Sequence, residues 1–431
     1  MPLNVAREPA PRSLYVKTAR PAPPTAPLAG DASAEVVIVG AGFTGLSAAL
    51  HLAEAGRDAL VIEAREIGFG ASGRNGGQVN PGLKWEPERL AARFGADLGG
   101  RMARLGACAP DFVFGLIERL GLDCEAKRSG TIRAALHSRE ESGLRAHVRQ
   151  AQDLAADIAF LDRADIAKAT GSHAYLMGSL DRRGGCLNPL SYARALAEAA
   201  LAAGAHIATE TLALRLTRDG EGWRLETERG FVRASRVILA TNGYTDALWP
   251  GLEPTVVPVL SSIVATEPLP PAQAQAILPE GSALYELSAS HAYYRIDASG
   301  RFLMGGRGVL GPSSAFADYA HLVAHARHLF PALRAANWSY CWNGRVAVTP
   351  DELPHIHEPE AGLHIALGYN GRGVAMASAV GARLARRAMG EPAEALDLPV
   401  TRLRPIPGHF AWPLAVAARL KWERAREALG V

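Results

Sequence analysis

A run of β-branched residues, Val36-Val37-Ile38-Val39, breaks into Gly40-Ala41-Gly42-Phe43-Thr44-Gly45 and resumes as a segment whose apolar residues Leu46, Ala49, Leu50 and Ala53 recur at helical spacing. This pattern reads as strand, glycine turn and helix, and few folds accommodate it. The three glycines act separately. Gly40 makes the tight turn, Gly42 lets backbone approach a pyrophosphate, and Gly45 lets helix and strand pack closely. The helix start then presents unpaired N–H groups and a positive dipole end to an anion. A second apolar strand, Ala59-Leu60-Val61-Ile62, ends in Glu63, about 20 residues on, where an acid accepts a ribose hydroxyl. Strand, turn, helix and acid together predict a Rossmann-like dinucleotide cradle, and hence an α/β chain.

At 431 residues the chain is long for one core, so two domains are expected. The formal charge of +3 comes from scattered arginines rather than a basic stripe, which argues against nucleic acid as a partner. Cys108, Cys124, Cys186 and Cys341 lie far apart and form no metal-binding spacing, so reduced cytosolic thiols and no metal are expected. The first residues are broken throughout by Pro and charge and do not read as a secretory signal. A cytoplasmic protein is the expectation.

Residues 1–34 read as a Pro-rich arm that orders by docking and carries no function. Residues 35–90, 170–245 and 340–395 are read as a discontinuous nucleotide domain, 91–169 and 246–339 as a substrate domain, and 396–431 as a C-terminal tail. Beyond Glu63 the glycine-rich stretch 67–78 suggests a loop wrapping a flat ligand, with backbone N–H groups, Ser72 and Asn75 as donors. Leu90 to about Ala169 is helical in period, and an amphipathic helix follows Asn188. Short alternating strands turn at Asp219-Gly220. The apolar run Val237–Ala240 enters Thr241-Asn242-Gly243, as a buried parallel strand does when it delivers backbone to a cofactor. Residues 246–339 carry signals of an antiparallel sheet. Tyr293, Tyr294 and Arg295 suit a substrate wall there, although an ordinary cross-strand pairing explains each of them equally well. Near the end, GLHIALGYNGRGVAMASAVGARLARRA is again strand, glycine turn and helix, with Gly371 and Gly373 at the turn. Residues 405–418 are apolar beside Trp412 and Trp422. A packed or self-associating tail is preferred there over a membrane-surface anchor.

IGFGASGRNGGQ after GAGFTGLSAALHLAEAG resembles the flavin-binding signature of the D-amino-acid-oxidase superfamily, most closely its γ-glutamylputrescine oxidase branch. ATNGY at 240–244, GRVAVTPDELPHI at 344–356, GYNGRGVA at 368–375 and the ALGV ending support the resemblance in the family's order. It implies an FAD-binding domain of the glutathione-reductase type joined to an α+β substrate domain. It also implies FAD-dependent oxidation of a carbon–nitrogen bond in an amine or amino acid, with O2 as acceptor and hydrogen peroxide as product. A dehydrogenase using another acceptor, an NAD-dependent dehydrogenase and a non-catalytic flavin binder are the alternatives. By this resemblance the cofactor contacts fall at Gly40, Gly42, Phe43, Thr44 and Gly45; at Glu63, Ala64, Ala71, Ser72, Arg74, Asn75, Gly76 and Gly77; and at Ala213, Ala240 and Thr241. Others fall at Gly344 and Arg345, and at Gly371, Arg372, Gly373 and Val374.

The chemistry requires no acid–base dyad, and none is apparent. The catalytic candidates are Tyr293, Tyr294, Arg295 and Arg372. His291, His355 and His357 are candidates for lowering the proton load on an amine, a structural role being the commoner one. Three departures from relatives matter. Gly344 stands where a flavin-linked cysteine occurs, so FAD is expected to be non-covalent. Ala375 replaces a lysine that grips a substrate carboxylate, leaving Arg372 or Arg295 as anchors. No lysine lies between Lys168 and Lys421, so the lysine that aids reaction with dioxygen in some relatives is missing.

Overall fold

The computed structural model describes residue 8 and residues 12–287, 291–308, 311, 313 and 315–428; of the arm, residues 1–7 and 9–11 lie outside it, as do the last three of the ALGV ending.

Two sheets organise the chain. The first has nine strands, five of them parallel and adjacent: His206–Ala208, Ala59–Ile62, Ala32–Val39, Gly230–Leu239 and Leu363–Leu367. Val37, Ile38, Val61, Val237 and Ile238 are almost wholly inaccessible, as expected of parallel strands covered on both faces. Helices Phe43–Glu54 and Gly373–Ala388 pack together on one face. An antiparallel pair, Ala213–Asp219 and Gly222–Thr227, extends Gly230–Leu239, with Gly220 at φ +61° in the turn. Because the parallel strands run the same way, their C-terminal ends meet at one edge, where Val39, Ile62 and Ala240 open onto a cavity.

The second sheet has eight strands, ordered Trp338–Val348, Val257–Thr266, Phe302–Arg307, Tyr293–Ile296, Ala283–Glu286, Thr131–Ala135, Met177–Asp181 and Ile158–Leu161. All neighbours are antiparallel except Ala283–Glu286 with Thr131–Ala135. The sheet moves the domain boundaries read from the sequence. Met177–Asp181 and all but the first two residues of Trp338–Val348, assigned above to the nucleotide domain, are in strands of this sheet. Helix Ala96–Leu120, assigned above to the substrate domain, instead shares a core with the nucleotide-domain helices; Phe112 stacks on His51 at 5.7 Å and Arg119 pairs with Glu54. Helical period shows that a helix has an apolar face, not which domain that face will cover.

The arm docks between the two domains. Leu14–Thr18 is a short helix whose Tyr15 packs edge-on against Trp342 of the second sheet at 5.3 Å, while Arg20 N donates to Ser191 Oγ of the first domain at 3.1 Å. Glu8 reaches further, pairing with Arg74 at 3.2 Å and Arg345 at 3.0 Å.

Candidate active site

A single continuous cavity of about 1040 Å³ runs from the first glycine turn to the face of the second sheet. At one end Gly40, at φ +108°, turns the chain, and a Cβ on Gly45 would lie 2.0 Å from the Gly40 carbonyl oxygen. Gly45 therefore acts by close packing and does not itself line the cavity, whereas Gly40, Gly42, Phe43 and Thr44 do. A Cβ on Gly42 would lie 2.9 Å from Ser72 Oγ, which accepts from the Phe43 N–H at 3.0 Å at the start of helix Phe43–Glu54. Thr44 Oγ1 meets Tyr369 OH at 2.7 Å, tying the first glycine turn to the last one.

Glu63 lines the same end. Its carboxylate accepts from Ala41 N at 2.7 Å and Arg65 N at 3.0 Å, and burial raises its pKa. Ala64, Thr211 and Ala213 continue the wall beyond it. Together these residues form a small-residue cradle with amide donors and a carboxylate at the ribose position, which fits the ADP half of FAD.

Midway, Ala71, Ser72, Arg74, Asn75 and Gly76 line the cavity beside Ala240 and Thr241. Asn75 shapes its own loop, donating to Ala71 O and Ser72 O at 3.0 Å each and accepting from Gly77 N at 2.8 Å. Gly77, at φ +70°, lies just outside, where a Cβ would strike Leu187 O at 2.1 Å. The Arg74 and Arg345 guanidiniums flank the Tyr244 ring, at 5.9 and 4.7 Å, and converge on Glu8. The sequence reading left the arm without a role and missed this carboxylate; no local pattern marks it.

Gly344 lines the cavity with Arg74 Cβ 3.0 Å from where its own Cβ would be. Cys341, three residues earlier, points to the opposite face and into the core behind the sheet, since side chains alternate along a strand.

At the far end the two-residue period decides which side chains face the cavity. Tyr285 is paired with Tyr293 and Arg133 across neighbouring strands, and all three line it. The Tyr293 ring lies where a Cβ on Gly76 would come within 2.5 Å and one on Gly305 within 2.1 Å, and its hydroxyl bonds Ser261 Oγ at 2.9 Å. Tyr294 turns the other way, fully buried against Phe302 and Phe330 at 5.5 Å each, and is no substrate wall. Arg295 shares the Tyr293 face but lies beneath the arm. Its Nε donates to Gly76 O at 2.7 Å and Nη2 approaches Tyr15 OH at 3.5 Å, so it does not reach the cavity. Both residues are thereby removed from the catalytic candidates.

Gly371, Arg372, Gly373 and Val374 line the cavity at the start of helix Gly373–Ala388, whose positive end faces it. Arg372 Nη2 donates to Tyr285 OH at 3.0 Å, and its guanidinium lies 4.7 Å from that ring. Ala375 is buried in the helix. Lys84, which no sequence signal marked, enters from the loop after Gln78–Val79. Desolvation by the cavity wall first, then Arg372, lowers its pKa to about 8, although the residue as a whole stays exposed. His291 lines the cavity; His355 and His357 do not. His355 bonds Asp351 at 3.0 Å, and His357, which burial lowers to about 4, donates Nδ1–H to Thr401 O at 2.9 Å, so both are structural. The tail docks through Ile406 N to Pro254 O at 2.8 Å, and Ala415 and Val416 of helix Trp412–Ala428 close one side of the cavity. No helix among the described residues is long and apolar enough to cross a membrane.

Residues 35–387 match the family model described as DAO, FAD dependent oxidoreductase. A probable oxidoreductase, OrdL, of Rhizobium meliloti is 32% identical over 381 residues, 88% of each chain. The gamma-glutamylputrescine oxidoreductase of Escherichia coli is 29% identical over 393 residues, 89% of this chain and 90% of that one. Among solved structures, glycine oxidase from Geobacillus kaustophilus superposes with a TM-score of 0.71 at 23% identity, covering 84% of this chain and 96% of that one. The L-proline dehydrogenase of P. horikoshii gives 0.72 at 20% identity, covering 84% and 95%. With a glycine-turn cradle, a placed acid and a second sheet facing the same cavity, this chain belongs to the DAO family of FAD-dependent oxidoreductases.

Proposed function

We propose that the enzyme oxidises a carbon–nitrogen bond of an amine or amino-acid-type substrate, using non-covalently held FAD. The chemistry the cofactor supplies when bound is acceptance of a hydride from the carbon bearing the nitrogen, which leaves an imine for water to hydrolyse. One observation carries the reading: the dinucleotide cradle and a wall of aromatic and cationic side chains open into one cavity, so a small polar substrate and the cofactor's ring can share one compartment. Tyr285 and Tyr293 supply flat walls that exclude water and orient an aliphatic stem. The start of helix Gly373–Ala388 and Arg372 favour negative charge developing beside them. Gly344 has no nucleophile to offer a flavin, and Cys341 faces away, which supports non-covalent binding.

Anaerobic mixing of the yellow holoenzyme with amines, polyamine conjugates and secondary amino acids tests the reading: at least one class should bleach the flavin, and a spectrum unchanged by all of them would overturn it. Peroxide formed in step with substrate loss in air identifies an oxidase, and its absence a dehydrogenase. Acid precipitation should release the FAD; colour retained in the pellet would refute non-covalent binding.

A further inference from the structure

Among the described residues, the three large apolar side chains most open to solvent lie together on the C-terminal tail. Phe410 is 90% exposed, Leu414 75% and Trp422 59%, and with exposed Ala418 they recur every fourth residue. That spacing follows one face of helix Trp412–Ala428 and of the turn His409–Ala411 that leads into it. The other exposed large apolar side chains among the described residues, Val16, Leu214 and Phe316, stand singly on separate elements. Single apolar residues at a surface need no explanation, whereas a stripe of them marks a contact.

The rest of the tail is fastened to the body. Ile406 N donates to Pro254 O and His409 Nε2–H to Val256 O, at 2.8 Å each, while Trp412, Val416 and Ala417 are half-buried. The stripe is thus held outward, beside the cavity that Ala415, Val416 and Arg419 line.

Charge decides what covers it. Residues 396–431 carry Arg402, Arg404, Arg419, Lys421, Arg424 and Arg426 against Asp397, Glu423 and Glu427, which is the whole formal charge of +3, so the rest of the chain is formally neutral. A second copy laid stripe against stripe would bring two positive tails together, and a tail laid on a neutral body would meet no complement. An anionic lipid surface satisfies both properties at once, its acyl chains taking the apolar residues and its headgroups the cations.

We infer that helix Trp412–Ala428 is an in-plane anchor that seats the enzyme on an anionic bilayer, with Phe410, Leu414 and Trp422 entering the boundary between headgroups and acyl chains. Trp suits that depth, because its ring is apolar and its indole N–H polar. Docking by this helix turns the Ala415 and Val416 side of the cavity toward the membrane. The self-association and packing expected of the tail from its sequence give way to packing by one face and lipid contact by the other. The anchor goes beyond the proposed oxidation and does not depend on which substrate is oxidised.

The test is co-sedimentation of the purified holoenzyme with vesicles of phosphatidylglycerol and phosphatidylcholine in equal parts, and with vesicles of phosphatidylcholine alone. Saturable binding to the mixed vesicles is expected, weaker by about tenfold or more on phosphatidylcholine alone and falling as salt is raised. Combining Phe410→Ser, Leu414→Ser and Trp422→Ser should weaken binding by about tenfold or more while FAD content and Tm stay unchanged. Combining Arg402→Gln, Arg404→Gln, Lys421→Gln and Arg424→Gln should remove the preference for phosphatidylglycerol. The inference is overturned if the mixed vesicles bind nothing, if both vesicle types bind equally, or if the serine variant binds as well as the parent. A concentration-dependent dimer that the serine variant abolishes would also overturn it, by giving the stripe to a second copy.

Discussion

At the end of the cavity near Gly40 the wall is mostly backbone and small residues, drawn largely from one stretch between Val39 and Gly76; at the end near Tyr285 it is side chains from segments scattered between Lys84 and Arg372. Backbone amides and glycines recognise what is common to all ADP-containing ligands, and they demand a fixed local geometry. Long side chains recognise what is particular to one substrate, and they tolerate delivery from anywhere on a rigid sheet. The first end should therefore be brittle and shared across relatives, the second adjustable.

The sharpest way to break this contrast is Gly45→Val. A Cβ there would sit 2.0 Å from the Gly40 carbonyl oxygen. The strand–helix contact must open, at a cost of about 3 kcal/mol, and purified protein should be colourless with a lower Tm. Normal FAD content would sink the packing argument. Glu63→Gln comes next: weakening two charge-assisted backbone bonds, at 2.7 and 3.0 Å, should raise the Kd for FAD by about 10-fold or more while leaving KM for substrate in the reconstituted enzyme unchanged. Tyr285→Phe should do the opposite. It removes the hydroxyl that accepts from Arg372 at 3.0 Å, so KM should rise by about fivefold, near 1 kcal/mol, with FAD affinity untouched. Should either variant move both constants together, the two ends are not separable.

The smallest effect is a pH dependence. Desolvation by the cavity wall and the nearby Arg372 push the Lys84 ammonium down from 10.5 to about 8, although the residue stays exposed. Between those values the unfolded chain binds the extra proton, so this group adds stability as pH rises through that window and adds none below it. A thermal scan over that pH range checks the sign, and Lys84→Arg should flatten the dependence.

The glycine turn, Glu63 and the loop through Gly76 were legible because each depends on neighbours within a few tens of residues. Tyr293 and Arg372 were legible as residue types suited to a wall. Tyr294 and Arg295 were not resolvable in the same way. Three consecutive strand residues cannot all face one side, and which parity faces the cavity is set by pairing with Ala283–Glu286 and Phe302–Arg307. Arg295, on the favourable side, was still lost to the cavity because Tyr15 of the arm covers it. Glu8 shows the reverse case: a residue in a stretch with no local signal becomes the common partner of Arg74 and Arg345.

Residue order alone settled the cofactor class, because a dinucleotide cradle is a short-range object: period, glycine spacing and one acid specify it before the rest of the chain folds. The charge of the substrate end was decided only when the eight-stranded sheet closed against the cradle. An electrostatic site depends on distances between side chains rather than on their sequence separation, and Lys84, Arg133 and Arg372 become neighbours only in three dimensions.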